Sequence, residues 1–175
     1  MCGRFTLTVN PADLQDAFQD YTFPARFAPR FNIAPSQPVL AIPNTGKMEA
    51  DFFLWGLIPM WAKDPSIGKR LINARGETVA EKPSFRGSLK YKRCLILADG
   101  FYEWKTVQGR KSKVPYFIHM KDRKPFAFAG LWAVPFSLET LELTGEPFLV
   151  APKSSEASTS DDGMLAYLPR LTGDQ

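Results

Sequence analysis

Cysteine and histidine are scarce: the 175 residues hold two cysteines, Cys2 and Cys94, and one histidine, His119. Two cysteines make no disulfide framework, and these three side chains alone make no convincing zinc site, so neither a metal nor another cofactor is expected. No stretch approaches the roughly 18 consecutive apolar residues of a membrane span. The amino end lacks the basic-then-apolar pattern of a secretory signal, so a cytoplasmic protein with no membrane contact is expected. No internal repeat of 20–50 residues is visible. What remains is a globular class, because a chain of this length with 45% hydrophobic residues can bury a core as one domain.

Acidic residues are scarce where basic ones gather. Residues 1–135 carry 20 Lys/Arg against 11 Asp/Glu, whereas residues 136–175 carry 2 against 7, a balance of +9 followed by −5. Between Lys63 and Lys113 there are 13 basic and 5 acidic residues, interleaved with Phe85, Tyr91, Phe101, Tyr102 and Trp104. Basic groups neutralise phosphates and aromatic faces stack on unpaired bases, so this mixture suits single-stranded nucleic acid. A solvated basic face over core aromatics has the same composition.

Gly3 to Val9 alternates loosely and predicts a first strand. Asn10-Pro11 opens a short helix with Leu14, Ala17 and Phe18 on one face. Prolines at 24, 29, 35 and 38 then predict an ordered loop over Tyr21–Pro38, packed by Phe23, Phe27 and Phe31. Strands are expected at Val39–Ile42 and Glu49–Trp55 around the turn Asn44-Thr45-Gly46. Gly56–Asp64 (GLIPMWAKD) reads as a binding loop. Short helices are expected near Glu77–Lys82 and Phe85–Leu89, a buried strand at Cys94–Ala98, and a turn at Asp99-Gly100 into Phe101–Lys105. A hairpin of Val114–Met120 with Pro125–Val134 follows, then a strand at Phe148–Val150. The expected class is α+β, a single domain dominated by antiparallel strands curled into a barrel-like sheet with a few short helices. Residues 1–150 form that domain, and residues 151–175 read as a polar, Ser-rich tail.

Three places carry candidate chemistry. Removal of Met1 would leave Cys2 with an α-amine beside its thiol, and an α-amine of pKa about 7.7–8.0 is substantially unprotonated near neutral pH, unlike a lysine. Such an amine attacks an aldehyde, and the neighbouring thiol closes the imine into a five-membered thiazolidine. Glu103 emerges between aromatics in Ala98–Lys105 (ADGFYEWK), where a carboxyl group can shuttle protons or simply pair with Lys105 or Arg93. Asn73 and Arg75, two residues apart in Leu71–Thr78 (LINARGET), share a face in an extended segment, and an arginine so placed can hold phosphate bidentately.

Taken in order, Met1–Phe5 (MCGRF), Phe31–Pro35 (FNIAP), Trp55–Trp61 (WGLIPMW), Leu71–Thr78 and Ala98–Lys105 resemble the successive signatures of the SOS response-associated peptidase family. The resemblance covers roughly residues 1–150. It implies a monomeric domain that senses abasic sites in single-stranded DNA, at the nucleoid when DNA is damaged, and shields them as a covalent DNA–protein crosslink. Carried over by motif, Cys2 is the crosslinking nucleophile, Asn73 holds the captured sugar, Glu103 is the acid/base and Arg75 grips phosphate beside the lesion. Arg4 is a further phosphate contact, and Pro35, Trp61 and Trp104 help form the surface where bases are stacked or wedged apart. The family name also leaves open a thiol peptidase that removes Met1 or cuts peptides, and β-elimination of an imine at an abasic site would give weak lyase activity as a side reaction. A single-stranded DNA-binding module without chemistry is the third possibility.

One departure stands out. After the strand corresponding to Phe148–Val150 the family carries a His-x-Arg-Met-Pro type motif whose histidine belongs to its active site, and this sequence has none. His119 lies in a strand (PYFIHM) where the family has no catalytic residue, so it is expected to be structural. Either the chemistry proceeds without that histidine, or residues 151–175 are abnormal, as a frameshift in the coding sequence would make them.

Overall fold

The computed structural model describes residues 3–109, 111–134, 136–137, 142–143 and 148–153. Cys2 and the stretch from residue 154 onward lie outside them.

The chain begins with β1 (Phe5–Leu7), all three residues buried. Helix α1 (Pro11–Ala17) starts where the sequence signals it. The Asn10 side chain accepts from the Asp13 N–H at 3.0 Å, and the Asp13 carboxylate accepts from the Asn10 N–H at 3.1 Å. This reciprocal box satisfies two otherwise orphaned donors, and Pro11 costs nothing at the first position. Leu14 is the one helix residue driven fully into the core. Next come β2 (Arg30–Ile33), β3 (Pro38–Pro43), β4 (Asp51–Trp55), a 3-10 turn at Pro65–Arg70, β5 (Asn73–Arg75) and α2 (Arg86–Tyr91). The remaining described elements are β6 (Arg93–Ala98), β7 (Gly100–Lys105), β8 (Val114–Ile118), β9 (Phe126–Ala133), β10 (Phe136–Ser137), β11 (Glu142–Leu143) and β12 (Phe148–Lys153).

Two sheets dominate. One has the order β2-β1-β7-β8 and the other β4-β3-β6-β9-β12-β5, while β10 and β11 pair with each other. Among the described strands every pairing is antiparallel except those of β12 with β4 and β5, and an isolated parallel bridge joins Thr22 to Glu49. The additional β4–β12 pairing brings the flanks of the larger sheet together and curls it into a barrel-like shape. Phe5 and Phe101 of the smaller sheet pack edge-on against Phe128 of the larger, with centroids 6.0 and 5.7 Å apart. The class is therefore α+β, with one domain and mostly antiparallel strands.

Several local expectations are corrected. The proline-rich segment contains β2, because Pro29 and Pro35 flank rather than interrupt Arg30–Ile33. Phe23 and Phe27 pack on the core, but Phe31 is 68% exposed. At Glu77–Lys82 there is no helix but a series of turns. Thr78 donates to the Arg75 carbonyl, and Glu81 and Lys82 both donate to the Thr78 carbonyl. Pro83 lacks an N–H and disfavours a helical Lys82, so the turns do not propagate.

The expected hairpin also separates. β8 extends the smaller sheet beside β7, whereas β9 inserts between β6 and β12. Burial explains the split: Ala127, Phe128, Leu131 and Ala133 make β9 a central strand, while exposed Pro115, Tyr116 and Phe117 suit β8 to an edge. Among the aromatics interleaved with the basic residues, Phe85 and Phe101 belong to the core.

Candidate functional site

Strand β1 is held against β7. Phe5 pairs with Phe101 and Thr6 with Gly100, and the Tyr102 N–H donates to the Arg4 carbonyl at 2.9 Å. The residues just before Phe5 therefore approach the strand that carries Glu103. The register is pinned from below by Asp99, a buried carboxylate at the β6–β7 junction. Its oxygens accept from the hydroxyls of Thr6 and Thr8 and from the backbone N–H groups of Thr8, at 2.6 Å, and Val9, at 3.1 Å. Four donors around one carboxylate offset its desolvation and fix where β1 lies. Asp99 does not figure among the candidate residues read from the sequence; an acidic residue between an apolar run and a glycine is its only signal.

A second buried group carries Asn73 toward the same strand. The Trp55 ring packs on Phe5 with centroids 5.1 Å apart, and its indole N–H donates to the Ile72 carbonyl at 2.7 Å. Trp55 is 1% exposed, so this bond positions the backbone entering β5. There Asn73 is half-buried, Ala74 buried and Arg75 exposed, which is the extended arrangement its spacing predicts. Backbone pairing of β5 with residues 151–153 of β12 supports it from the other side.

Glu103 is half-buried and Trp104 is 42% exposed. Register along β7 and β8 is regular from Phe101↔Ile118 to Lys105↔Val114, so Glu103 and Trp104 point to opposite faces of the strand. Directly across from Glu103 is Tyr116. Arg4 is half-buried and its guanidinium donates to the Asn32 Oδ1 at 3.0 Å. The Tyr102 hydroxyl donates to the Phe31 carbonyl at 3.1 Å, reaching over β1 to β2. Pro35 follows β2 in a turn whose Ser36 has φ of 64°. Asn32 and Tyr102 lie inside the motifs FNIAP and ADGFYEWK but carry no role read from the sequence, and Tyr116 lies in no motif; strand pairing and hydrogen bonding reveal all three.

Trp61, 57% exposed, projects from an anchored loop. Gly56 has φ of 134°, and a Cβ there would lie 2.6 Å from the Gly68 carbonyl oxygen. Only glycine allows that approach. Leu57, fully buried, donates its N–H to the Leu71 carbonyl at 3.0 Å. At the far end Asp64 caps the 3-10 turn through the Ser66 N–H, and hydrogen bonds from Ser66 hold its carboxyl below the usual range.

The second thiol is chemically silent. Burial pushes the Cys94 thiol far above its ordinary value, so it stays protonated and is a poor nucleophile. His119 is half-buried, with Nδ1 2.8 Å from the Met120 carbonyl oxygen and its ring 5.5 Å from that of Phe117. A shallow apolar groove lined by Leu7, Phe27, Leu40 and Phe52, with Arg26 and Arg30 at its rim, contains none of the candidate residues.

The chain is 52% identical over 135 residues to the abasic site processing protein YoaM of Bacillus subtilis, covering 75% of this chain and 59% of that one. It is 35% identical over 149 residues to the abasic site processing protein HMCES of Pongo abelii, covering 71% and 42%. It thus spans less than two thirds of the length of either relative. A crystal structure from Bacteroides thetaiotaomicron superposes with a TM-score of 0.73 at 25% identity, covering 86% of this chain and 67% of that one. The profile of the SOS response associated peptidase (SRAP) family matches residues 1–147. With most of its length matched in this way, the chain belongs to the SRAP family.

Proposed function

We propose that this protein recognises abasic sites in single-stranded DNA and captures them covalently through Cys2. The observation that carries the reading is the β1–β7 pairing, which sets Phe5 opposite Phe101 and joins Tyr102 to Arg4, so that the residues following Cys2 run beside the strand that bears Glu103. The names of the relatives, abasic site processing proteins, favour the same substrate.

The ring-opened abasic sugar presents an aldehyde. Once Met1 is removed, the Cys2 amine adds to it, and loss of water gives an imine. The thiol then adds to the imine carbon while its proton passes to the nitrogen, closing a thiazolidine. Glu103 moves protons in these steps, Asn73 holds the sugar, and Arg75 with Arg4 takes phosphates beside the lesion. Pro35, Trp61 and Trp104 supply apolar surface for unstacked bases. The ring removes the imine from which β-elimination would cut the strand, so the crosslink shields the lesion and lyase activity is a minor side reaction. Incubating the protein with abasic and intact oligonucleotides and resolving the products on a denaturing gel tests this. A shifted band with the abasic strand alone is expected. A peptidase limited to Met1, or a binding module without chemistry, gives no such band.

A further inference from the structure

Beyond Phe101, the core-facing side of the β7–β8 hairpin runs out of the core. Along that face exposure rises from Phe101, 7%, through half-buried Glu103 to exposed Lys105. Tyr116 lies on the same face, paired directly with Glu103 across the two strands and 48% exposed. Side chains so paired have Cβ atoms roughly 4.5–5.5 Å apart. The Lys105 ammonium stands 6.0 Å from the centre of the Tyr116 ring, at the outer limit of cation–π attraction and so readily drawn to a phosphate. From Trp104 to Lys121 the chain has Lys105, Arg110, Lys111, Lys113 and Lys121 and no acidic residue.

We propose that Tyr116 and Lys105 form a nucleotide subsite beside Glu103, in which the Tyr116 ring stacks on the base next to the abasic site and the Lys105 ammonium takes an adjoining phosphate. An aromatic face and a cation two pairs along on the same face of the ladder are what an unpaired nucleotide requires. The subsite gives Tyr116 a role that Trp104, on the opposite face of β7, does not fill. It rests on the capture reading above and adds to it the contact that seats the neighbouring nucleotide.

Non-covalent affinity is measured by fluorescence anisotropy with oligonucleotides carrying a tetrahydrofuran abasic analogue. In one set both neighbouring bases are present; in others the base on one side is replaced by a second base-free spacer. Wild-type protein is expected to lose about tenfold in affinity when the base on one particular side is removed. Tyr116→Ala should bind the fully based strand about tenfold more weakly and be indifferent to removal of that base, whereas Tyr116→Phe keeps the ring and behaves as wild type. Lys105→Gln should reduce the slope of log affinity against log salt by about 0.7, one phosphate's worth. Capture of a reactive abasic strand by wild-type protein is followed in parallel. Capture by wild type with Tyr116→Ala equal to it in every oligonucleotide overturns the subsite alone. Wild-type protein that neither binds nor captures abasic strands overturns the capture reading and the subsite with it.

Discussion

Trp55 donates its indole N–H to the carbonyl of Ile72 at 2.7 Å while its ring packs against Phe5. One buried side chain therefore sets both the strand that follows Cys2 and the segment that presents Asn73. Trp55→Phe keeps an aromatic ring but leaves the Ile72 carbonyl without its donor, so a loss of about 1–3 kcal/mol is expected in urea denaturation. Because the altered carbonyl adjoins Asn73, crosslinking should slow in the folded variant. A variant destabilised to that extent yet crosslinking at the wild-type rate would separate Trp55 from the site.

Glu103→Gln is expected to slow crosslinking about 10²–10⁴-fold while leaving non-covalent affinity for abasic DNA within about twofold. Rates from quenched time courses and affinities from anisotropy check the two parts independently. Equal loss in both would make Glu103 a binding residue rather than an acid/base.

Helix α1 and strand β6 were legible in the sequence because their signals are local: a cap followed by proline, and an apolar run ended by Asp-Gly. The motif residues Asn73 and Arg75 also fall on an extended strand, as their spacing requires. The partners of Glu103 and Arg4 were not legible. Tyr116 is set across from Glu103 by the register of β7 with β8, which no local pattern fixes, and Asn32 reaches Arg4, 28 positions away, because β2 pairs with β1. The destiny of β9 was hidden for the same reason, since its turn with β8 looks like a hairpin while its apolar faces select β6 and β12. Periodicity shows which residues seek burial and not which neighbour provides it.

Cys94 is 6% exposed, and its burial keeps the thiol protonated well above the ordinary value of about 9. Brief alkylation of native protein at pH 8 should therefore modify one thiol, in the amino-terminal peptide, and unfolding should release the second. The sign for stability follows from the same shift. The preference for the neutral thiol in the folded state is fully felt below the unfolded-state value and is lost as pH rises above about 9, where the unfolded chain ionises. Wild type should therefore lose stability from pH 9 to 10 more steeply than Cys94→Ala, as checked by denaturant titration at each pH.

Arg75, exposed on β5, is expected to hold one phosphate. Arg75→Ala should flatten the salt dependence of binding by about 0.7 in the log–log slope, without changing the nature of the crosslinked product. An unchanged slope would take Arg75 out of the DNA path. His119→Gln should leave the crosslinking rate unchanged, since its ring is engaged with Met120 and Phe117.

The central claim is that the Cys2 amine and thiol together capture the sugar. Intact mass spectrometry of the purified protein and of its adduct with an abasic oligonucleotide tests this directly. The expected masses are those of the chain lacking Met1 and of that chain plus the oligonucleotide less one water, with the link mapped to Cys2. Cys2→Ala should give no adduct that survives denaturation, although its free amine can still yield an imine fixed by borohydride. A stable adduct that retains Met1, or one formed equally by Cys2→Ala, would contradict the mechanism.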